Sequence, residues 1–507
     1  MANVLIEVGD AEPAIEYIER SRLQFLAHSP TTRLLLQVLY FTRRTARARL
    51  LAQSLLATDP NDAPVWHGFL AAIARSEGRV REAMDHHRME VAGLPESVSA
   101  RMQIAISSLY DDRCTPEEVA GYHRDLARVC ALPSGPPPGP RGPGPLRVGV
   151  LSPDFVTHSV AYFALPMVHG LVQRGVQVTC YATGNKEDET TAEFKRAAGR
   201  FRSAWTLSAR ALADQVRGDG IDVLFDLAGL SLGARTDALA LHPAPFIVNY
   251  CGYPCSIGSG VHTHRIVDSI TDPPGSEGAG TEELLRLDPC FLCYRPRADA
   301  PSPRQPASAS PPEGVTFGSF NVLTKVNESV IDTWSRILHA VPGSSLALKS
   351  SMLTQDGVQD YFTRAFEARS IDAARLRFLP FTAAPREHLA LYRGIDIALD
   401  PFPYNGTTTT CEALAMGVPV VTLEGRAHAG RVGSSLLKAC AMHRLVAKDV
   451  DAYVKAAVGL AADRQARMEL HGSLPGFFAR SALRDEAGFA DRMHGLLNGL
   501  VARLPTR

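Results

Sequence analysis

One stretch limits what this chain can fold into: Asp400-Pro-Phe-Pro-Tyr-Asn-Gly-Thr-Thr-Thr-Thr-Cys-Glu-Ala-Leu-Ala-Met-Gly-Val-Pro-Val-Val-Thr422. The apolar run Ile395-Asp-Ile-Ala-Leu ends at Asp400, Pro401 and Pro403, because proline cannot continue a central strand. Asn405-Gly406 is a turn dipeptide. Four threonines stand where a helix should begin, ahead of Glu412-Ala-Leu-Ala-Met, and Gly417-Val-Pro returns the chain to an apolar strand. Strand, tight loop, helix and strand make a parallel βαβ unit. A helix start leaves backbone N–H groups unpaired, and with the helix dipole it forms an anion site. Gly406, Thr407, Thr408, Thr409 and Thr410 therefore outline a phosphate site, and Glu412, one turn in, can accept from sugar hydroxyls. The plainer alternative is a threonine-rich helix cap with no ligand.

The rest of the chain repeats this alternation twice. Leu146-Arg-Val-Gly-Val-Leu151, residues 176–183, 221–228, 246–250 and 265–268 read as strands of one parallel sheet. Residues 315–320, 345–349, 377–379, 395–400 and 418–422 read as strands of a second. The fold class expected is α/β, two Rossmann-like doubly wound domains with a cleft between them, preceded by an all-helical segment. The expected boundaries are a helical segment over 1–132, a Pro/Gly linker over 133–145, a first α/β domain over 146–300, a weak Pro- and Ser-rich linker at about 296–312, and a second α/β domain with C-terminal helices over 313–507. Within the helical segment, Asp59-Pro-Asn, Trp66, Phe69, Leu70, Gly78, Glu82, Ala83 and Pro95 resemble a tetratricopeptide repeat. A plain helical cap on the next domain is the alternative, and either offers a surface to a partner.

Composition removes several classes. The 507 residues carry a formal net charge of zero, so a broadly basic nucleic-acid or membrane surface is not expected. The start, Met1-Ala-Asn-Val-Leu-Ile-Glu, has no basic region ahead of an apolar core, so no secretory signal is read there. No run of uncharged apolar residues is long enough to span a bilayer. Nine scattered cysteines, with one Cys-x-x-Cys at Cys290 and Cys293 and no second pair, suggest reduced thiols, no metal and a cytoplasmic protein. There is no Walker A sequence, no Gly-x-Gly-x-x-Gly after the first strand and no His-Glu-x-x-His. The second domain also lacks a metal-binding Asp-x-Asp.

Ligands on doubly wound sheets lie beyond the carboxyl ends of strands. Three loops in that position carry unusual residues. In Asp154-Phe-Val-Thr-His158-Ser-Val-Ala-Tyr162, His158 is a general base, a phosphate or sugar ligand, or a structural histidine. In Phe320-Asn-Val-Leu-Thr-Lys325, Lys325 can neutralise a leaving diphosphate, with Asn321 beside it; a solvated lysine is the alternative. The third is the threonine loop. Asp226-Leu-Ala-Gly229-Leu-Ser-Leu-Gly-Ala-Arg235 adds a Gly-rich turn where Asp226 and Arg235 either meet a ligand or pair with each other. His388, at a helix start before the Ile395 strand, either approaches the nucleotide or is structural. Together with Asp154, Tyr162 and Tyr253, residues Asp226, Gly229 and Arg235 are the possible acceptor or sugar contacts.

From about residue 146 to 480 the chain resembles the O-linked N-acetylglucosamine transferase and SPINDLY family. The motifs are Ser152-Pro-Asp-Phe-Val-Thr-His158-Ser-Val-Ala-Tyr-Phe163, His242-Pro-Ala-Pro245, Gly252-Tyr-Pro254, Phe317-Gly-Ser-Phe-Asn321 and Pro403-Tyr-Asn-Gly-Thr-Thr-Thr-Thr-Cys-Glu-Ala-Leu-Ala-Met-Gly-Val-Pro419. The resemblance implies a GT-B fold and an inverting, metal-independent transfer of sugar from a nucleotide sugar to Ser or Thr of proteins. The nucleotide sugar is a co-substrate, and no cofactor is implied. It implies that His158 is the active-site histidine and that Lys325 stabilises the leaving diphosphate. Thr408 and Thr409 would bind the diphosphate, Glu412 the ribose, and His388 would lie near the nucleotide.

Two positions depart from the N-acetylglucosamine branch, which has Gln where Val322 stands and a uracil-packing Arg where Leu391 stands. Thr157-His-Ser, Leu287-Asp-Pro-Cys-Phe-Leu-Cys-Tyr294 and the threonine run look closer to the SPINDLY branch, so GDP-fucose is the expected donor and UDP-N-acetylglucosamine the close second. Acceptor proteins would be held by the cleft and the helical segment. The rival readings are a GT-B transferase acting on a glycan, lipid or small molecule, and a catalytically weak nucleotide-sugar-binding scaffold.

Overall fold

The computed structural model describes residues 29–130, 144–303 and 314–504, with the single positions 13, 15, 16 and 135. Most of the expected linker at 133–145, much of that at 296–312, and the N-terminal start lie outside the described residues.

Six helices open the described chain: α1 Ser29–Phe41, α2 Thr45–Thr58, α3 Ala63–Ser76, α4 Val80–Gly93, α5 Val98–Ser108 and α6 Pro116–Val129. Each packs on the next. The hairpin α3–α4 carries Trp66, Phe69, Leu70, Gly78, Glu82 and Ala83 of the repeat-like set. Trp66 and Ala83 are fully buried, Pro95 follows α4, and Gly78 takes the turn at φ +84, a region that favours glycine. Thr115 and Glu118 cap α6 reciprocally.

The first sheet holds β1 Arg147–Ser152, β2 Gln177–Ala182, β3 Arg200–Ser203, β4 Val223–Asp226, β5 Phe246–Asn249, β6 His264–Val267 and β7 Glu283–Arg286, in the order β3-β2-β1-β4-β5-β6-β7. The second holds β8 Thr316–Ser319, β9 Ser345–Leu348, β10 Leu376–Phe378, β11 Ile397–Leu399, β12 Val420–Leu423 and β13 Val446–Ala447, in the order β10-β9-β8-β11-β12-β13. Every pairing is parallel. These are the two doubly wound sheets that the GT-B expectation required. Strand order reverses between β1 and β4 and between β8 and β11, and crevices at such reversals take ligands. Three strands escaped the sequence reading. Edge strands β3 and β7 are partly exposed, and edge strand β13 has only two residues, so none shows a long apolar run.

The last helix does not stay with the second sheet. Designated α7, Glu486–Val501 crosses back onto the helix Ala161–Gln173 (α8) of the first unit. A Cβ on Gly170 would lie 2.4 Å from that of Ala490, so glycine permits the close approach. Arg174 Nε bonds Asp491 at 2.7 Å, and Arg295 Nε bonds Glu486 at 2.9 Å. Within the expected second domain and its C-terminal helices, 313–507, this helix thus packs on the first unit.

Candidate active site

The loop of residues 400–407 leaves β11 and turns into a helix Thr408–Ala415 (α9). Asp400 is its anchor. One carboxylate oxygen accepts from Gly406 N at 2.6 Å, the other from Thr422 Oγ1 at 2.6 Å. A Cβ on Gly406 would lie 2.5 Å from Thr409 Oγ1, so a larger residue here would have to displace that hydroxyl. Asn405, fully buried, donates to Pro401 O and accepts from Gly433 N.

The four threonines divide. Thr410 Oγ1 donates back to Gly406 O at 3.2 Å, and Thr409 Oγ1 donates to Asn321 Oδ1 at 3.2 Å. Thr407 occupies the cap position, yet its side chain makes no capping bond. The helix start is thus left without an internal side-chain cap, as an anion site requires.

Lys325 closes the other side. It lies in a short 3₁₀ turn, Leu323–Lys325, after β8, and its Nζ donates to Asn405 O at 2.7 Å. The same ammonium stands 4.1 Å from the centroid of the Tyr404 ring. Burial pulls the Lys325 pKa down, opposed by the charge of Asp400. Burial likewise pushes Asp400 up, against the donors Thr422 and Gly406 and the charge of Lys325.

Glu412 is buried, and one oxygen accepts from His388 Nε2 at 3.0 Å and Tyr392 OH at 3.2 Å. His388 Nδ1 is 2.7 Å from Lys349 Nζ. An ammonium can only donate, so Nδ1 accepts and the ring proton sits on Nε2, facing Glu412. Lys349, just past β9, is held below ordinary lysine values by burial, against the pull of Glu412. Lys349 and Tyr392 escaped the sequence reading, although Lys349 shares with Lys325 the signal of standing just past a parallel strand.

Across the cleft, the β1 loop brings His158 Nδ1 within 3.5 Å of Asp154 Oδ2. The His158 side chain is 46% exposed and so remains open to a substrate. Burial raises the Asp154 pKa, and His158 opposes the rise. Burial also raises that of Tyr162, and the charge of Glu412 on the opposite unit adds to it. A small cavity of about 30 Å³ lies between the units beside Thr407, lined also by Cys251, Tyr253 and Tyr404.

The remaining candidates are committed elsewhere. Asp226 is 1% exposed and accepts from His262 Nε2, Ala228 N and Gly229 N. Arg235 pairs with Asp237, not with Asp226. Gly229 has φ +59, and a Cβ there would lie 2.4 Å from Tyr253 Cβ, so its glycine serves packing. Tyr253 OH lies 2.7 Å from His123 Nε2 of the helical segment.

Residues 139–293 and 303–493 match Glycosyl transferase family 41. This chain belongs to that family. Its family 41 region is 39% identical over 351 residues to the Arabidopsis thaliana protein named Probable UDP-N-acetylglucosamine–peptide N-acetylglucosaminyltransferase SPINDLY, covering 68% of this chain and 38% of that one. The Arabidopsis thaliana relative of the same enzyme name, SEC, is 30% identical over 329 residues, 63% of this chain and 33% of that one. The chain thus spans well under half the length of these relatives. The solved structure of a lysine-to-methionine mutant of Thermobaculum terrenum O-GlcNAc transferase superposes with a TM-score of 0.85 at 29% identity, covering 99% of this chain and 96% of that one. The two doubly wound sheets of this chain have the GT-B architecture.

Proposed function

We propose that the chain is an inverting, metal-independent protein O-glycosyltransferase that moves a sugar from a nucleotide sugar to Ser or Thr hydroxyls. The observation that carries this reading is the uncapped start of α9 with Lys325 beside it and Glu412 one turn in, at the strand reversal of the second sheet. The diphosphate sits on the helix start, Thr407 and Thr408 add donors, and the free oxygen of Glu412 accepts from the ribose. The acceptor oxygen forms a bond to the anomeric carbon from the His158 side while the bond to the diphosphate breaks. Lys325, ammonium in this step, neutralises the departing charge; an arriving diphosphate favours that protonated form against the cost of burial. His158, with Asp154 behind it, takes the acceptor proton.

The donor proposed is GDP-fucose, with UDP-N-acetylglucosamine the competing one, for which the relatives are named. Val322 is 41% exposed and apolar, and Leu391 packs on the core, so neither supplies the amide or guanidinium of the N-acetylglucosamine branch. Lys349 stands beside His388 and 6.0 Å from the ring centroid of Phe381, itself 57% exposed. A lysine and an exposed ring suit a guanine, whose O6 and N7 are both acceptors.

Thermal shift with GDP-fucose and UDP-N-acetylglucosamine, followed by mass spectrometry of candidate acceptor proteins, tests both levels. GDP-fucose should raise Tm by mass action, and less so in Lys349→Met. A shift by UDP-N-acetylglucosamine alone overturns the donor assignment, and transfer to glycans or small molecules but not to proteins overturns the acceptor assignment.

A further inference from the structure

The helical segment reaches into the donor side of the cleft. Tyr110, two residues past α5, stacks on Tyr404 with ring centroids 5.0 Å apart and planes 23° from parallel. The Lys325 ammonium stands over the Tyr404 ring, so three side chains from three chain segments form one stack. A single amide locks the same junction. Asn327 Nδ2 donates to Tyr110 O at 3.1 Å and to Phe402 O at 2.8 Å, while its Oδ1 accepts from Val330 N at 3.0 Å. Asp112 accepts from Ser329 Oγ alongside. On the opposite wall, His123 of α6 meets Tyr253 OH. Behind the junction lies a cavity of about 530 Å³, bounded by Asp112 and Thr115 of the helical segment, Thr271 of the first unit and Phe402 and Arg426 of the second.

We propose that Tyr110 is a positioning residue of the transfer reaction: by stacking on Tyr404 it holds that ring beneath Lys325, which makes the helical segment a working part of the donor site. The inference rests on the leaving-group role of Lys325 given above. A cation gains from the face of an aromatic ring and not from its edge, so the orientation of Tyr404 decides whether the ammonium is supported. Tyr404 alone has two free side-chain torsions; the Tyr110 ring removes the freedom to turn. The Tyr110 hydroxyl has no part in this, and the flat ring is what matters. A partner seated on the helical segment would thereby act on Lys325 without touching the nucleotide.

The test uses the full chain and the variants Tyr110→Leu, which keeps bulk without a ring, and Tyr110→Phe, which keeps the ring without the hydroxyl. Lys325 acetylation by an N-hydroxysuccinimide ester is followed by peptide mass spectrometry across pH, with Lys186, exposed, as the internal reference. In the wild type Lys325 should react at lower pH than Lys186, in keeping with its burial. In Tyr110→Leu the ammonium loses the ring face, so the Lys325 profile should move to still lower pH, farther from that of Lys186, while Tyr110→Phe keeps the wild-type profile. Turnover of GDP-fucose at saturation should fall roughly tenfold in Tyr110→Leu with GDP affinity within about threefold of wild type. An unchanged Lys325 profile in Tyr110→Leu, or a Tyr110→Phe variant as impaired as Tyr110→Leu, overturns the proposal. If Tyr110→Leu does not fold, Tyr110→Met is read by the same criteria. If Lys325→Ala proves harmless to turnover, the leaving-group role falls, and the acetylation profiles still decide whether Tyr110 positions the lysine.

Discussion

Lys325 and Glu412 show how single residues are set to their task. Lys325 Nζ is held directly by one carbonyl and one ring face, with the Asp400 carboxylate acting on it only through its field, so the ammonium has no carboxylate hydrogen bond that an incoming anion must displace. Lys325→Ala should lower turnover at saturating donor by about a hundredfold or more, while nucleotide binding falls less; steady-state kinetics with the donor selected by thermal shift check it. Retention of turnover within about threefold removes the leaving-group role. At Glu412 the order Lys349, His388, Glu412 fixes one proton on His388 Nε2 and leaves one carboxylate oxygen for a ligand. The sequence named Glu412, His388 and Lys325 because their motifs are local in the chain. Lys349 and Tyr110 were not legible, since the first acts through a histidine 39 residues on and the second through a ring far along the chain. Asp226 and Gly229 are taken up by internal contacts for the opposite reason: a Gly-rich turn after a strand looks alike whether its glycine admits a ligand or a neighbouring tyrosine.

Elements around the donor helix depend on one carboxylate at the end of β12. Glu424 accepts from Lys438 Nζ at 2.9 Å and from Lys448 and Ser434, tying the helix Val432–Ala439 (α10) and the edge strand β13 to the sheet. Burial alone would raise its pKa, but those three donors outweigh it and pull the group to about 2. A depressed carboxylate pKa contributes stability that is complete above the ordinary value and is lost as pH falls through the folded value. Glu424→Gln should therefore cost about 1–2 kcal/mol at neutral pH, after discounting for solvent screening, and the cost should shrink between about pH 4.5 and pH 2. Urea unfolding of both proteins at several pH values measures it, and a difference independent of pH overturns the assignment. At this scale the sequence was a good guide where strands are central, because buried parallel strands are continuous apolar runs. It failed at Arg200–Ser203, where alternate arginines reach solvent at the sheet edge.

On the scale of the molecule, α7 joins what the chain order separates. Phe489, Met493 and Leu497 of this helix are fully buried against the first unit and its surroundings. Phe489→Ala should cost about 3–5 kcal/mol, and it should lower the melting of the whole protein rather than release the second unit alone; calorimetry distinguishes the two. An unchanged first-unit transition would show the helix to be a loose appendage. The crossing bears on the order of synthesis. A multidomain chain usually finishes its N-terminal domain while the rest is still being made. Here the first unit lacks one of its covering helices until residues 486–501 have emerged, so its apolar flank around Gly170 waits uncovered through the making of the entire second unit. A helix made after the second sheet thus covers a flank of the unit made before it.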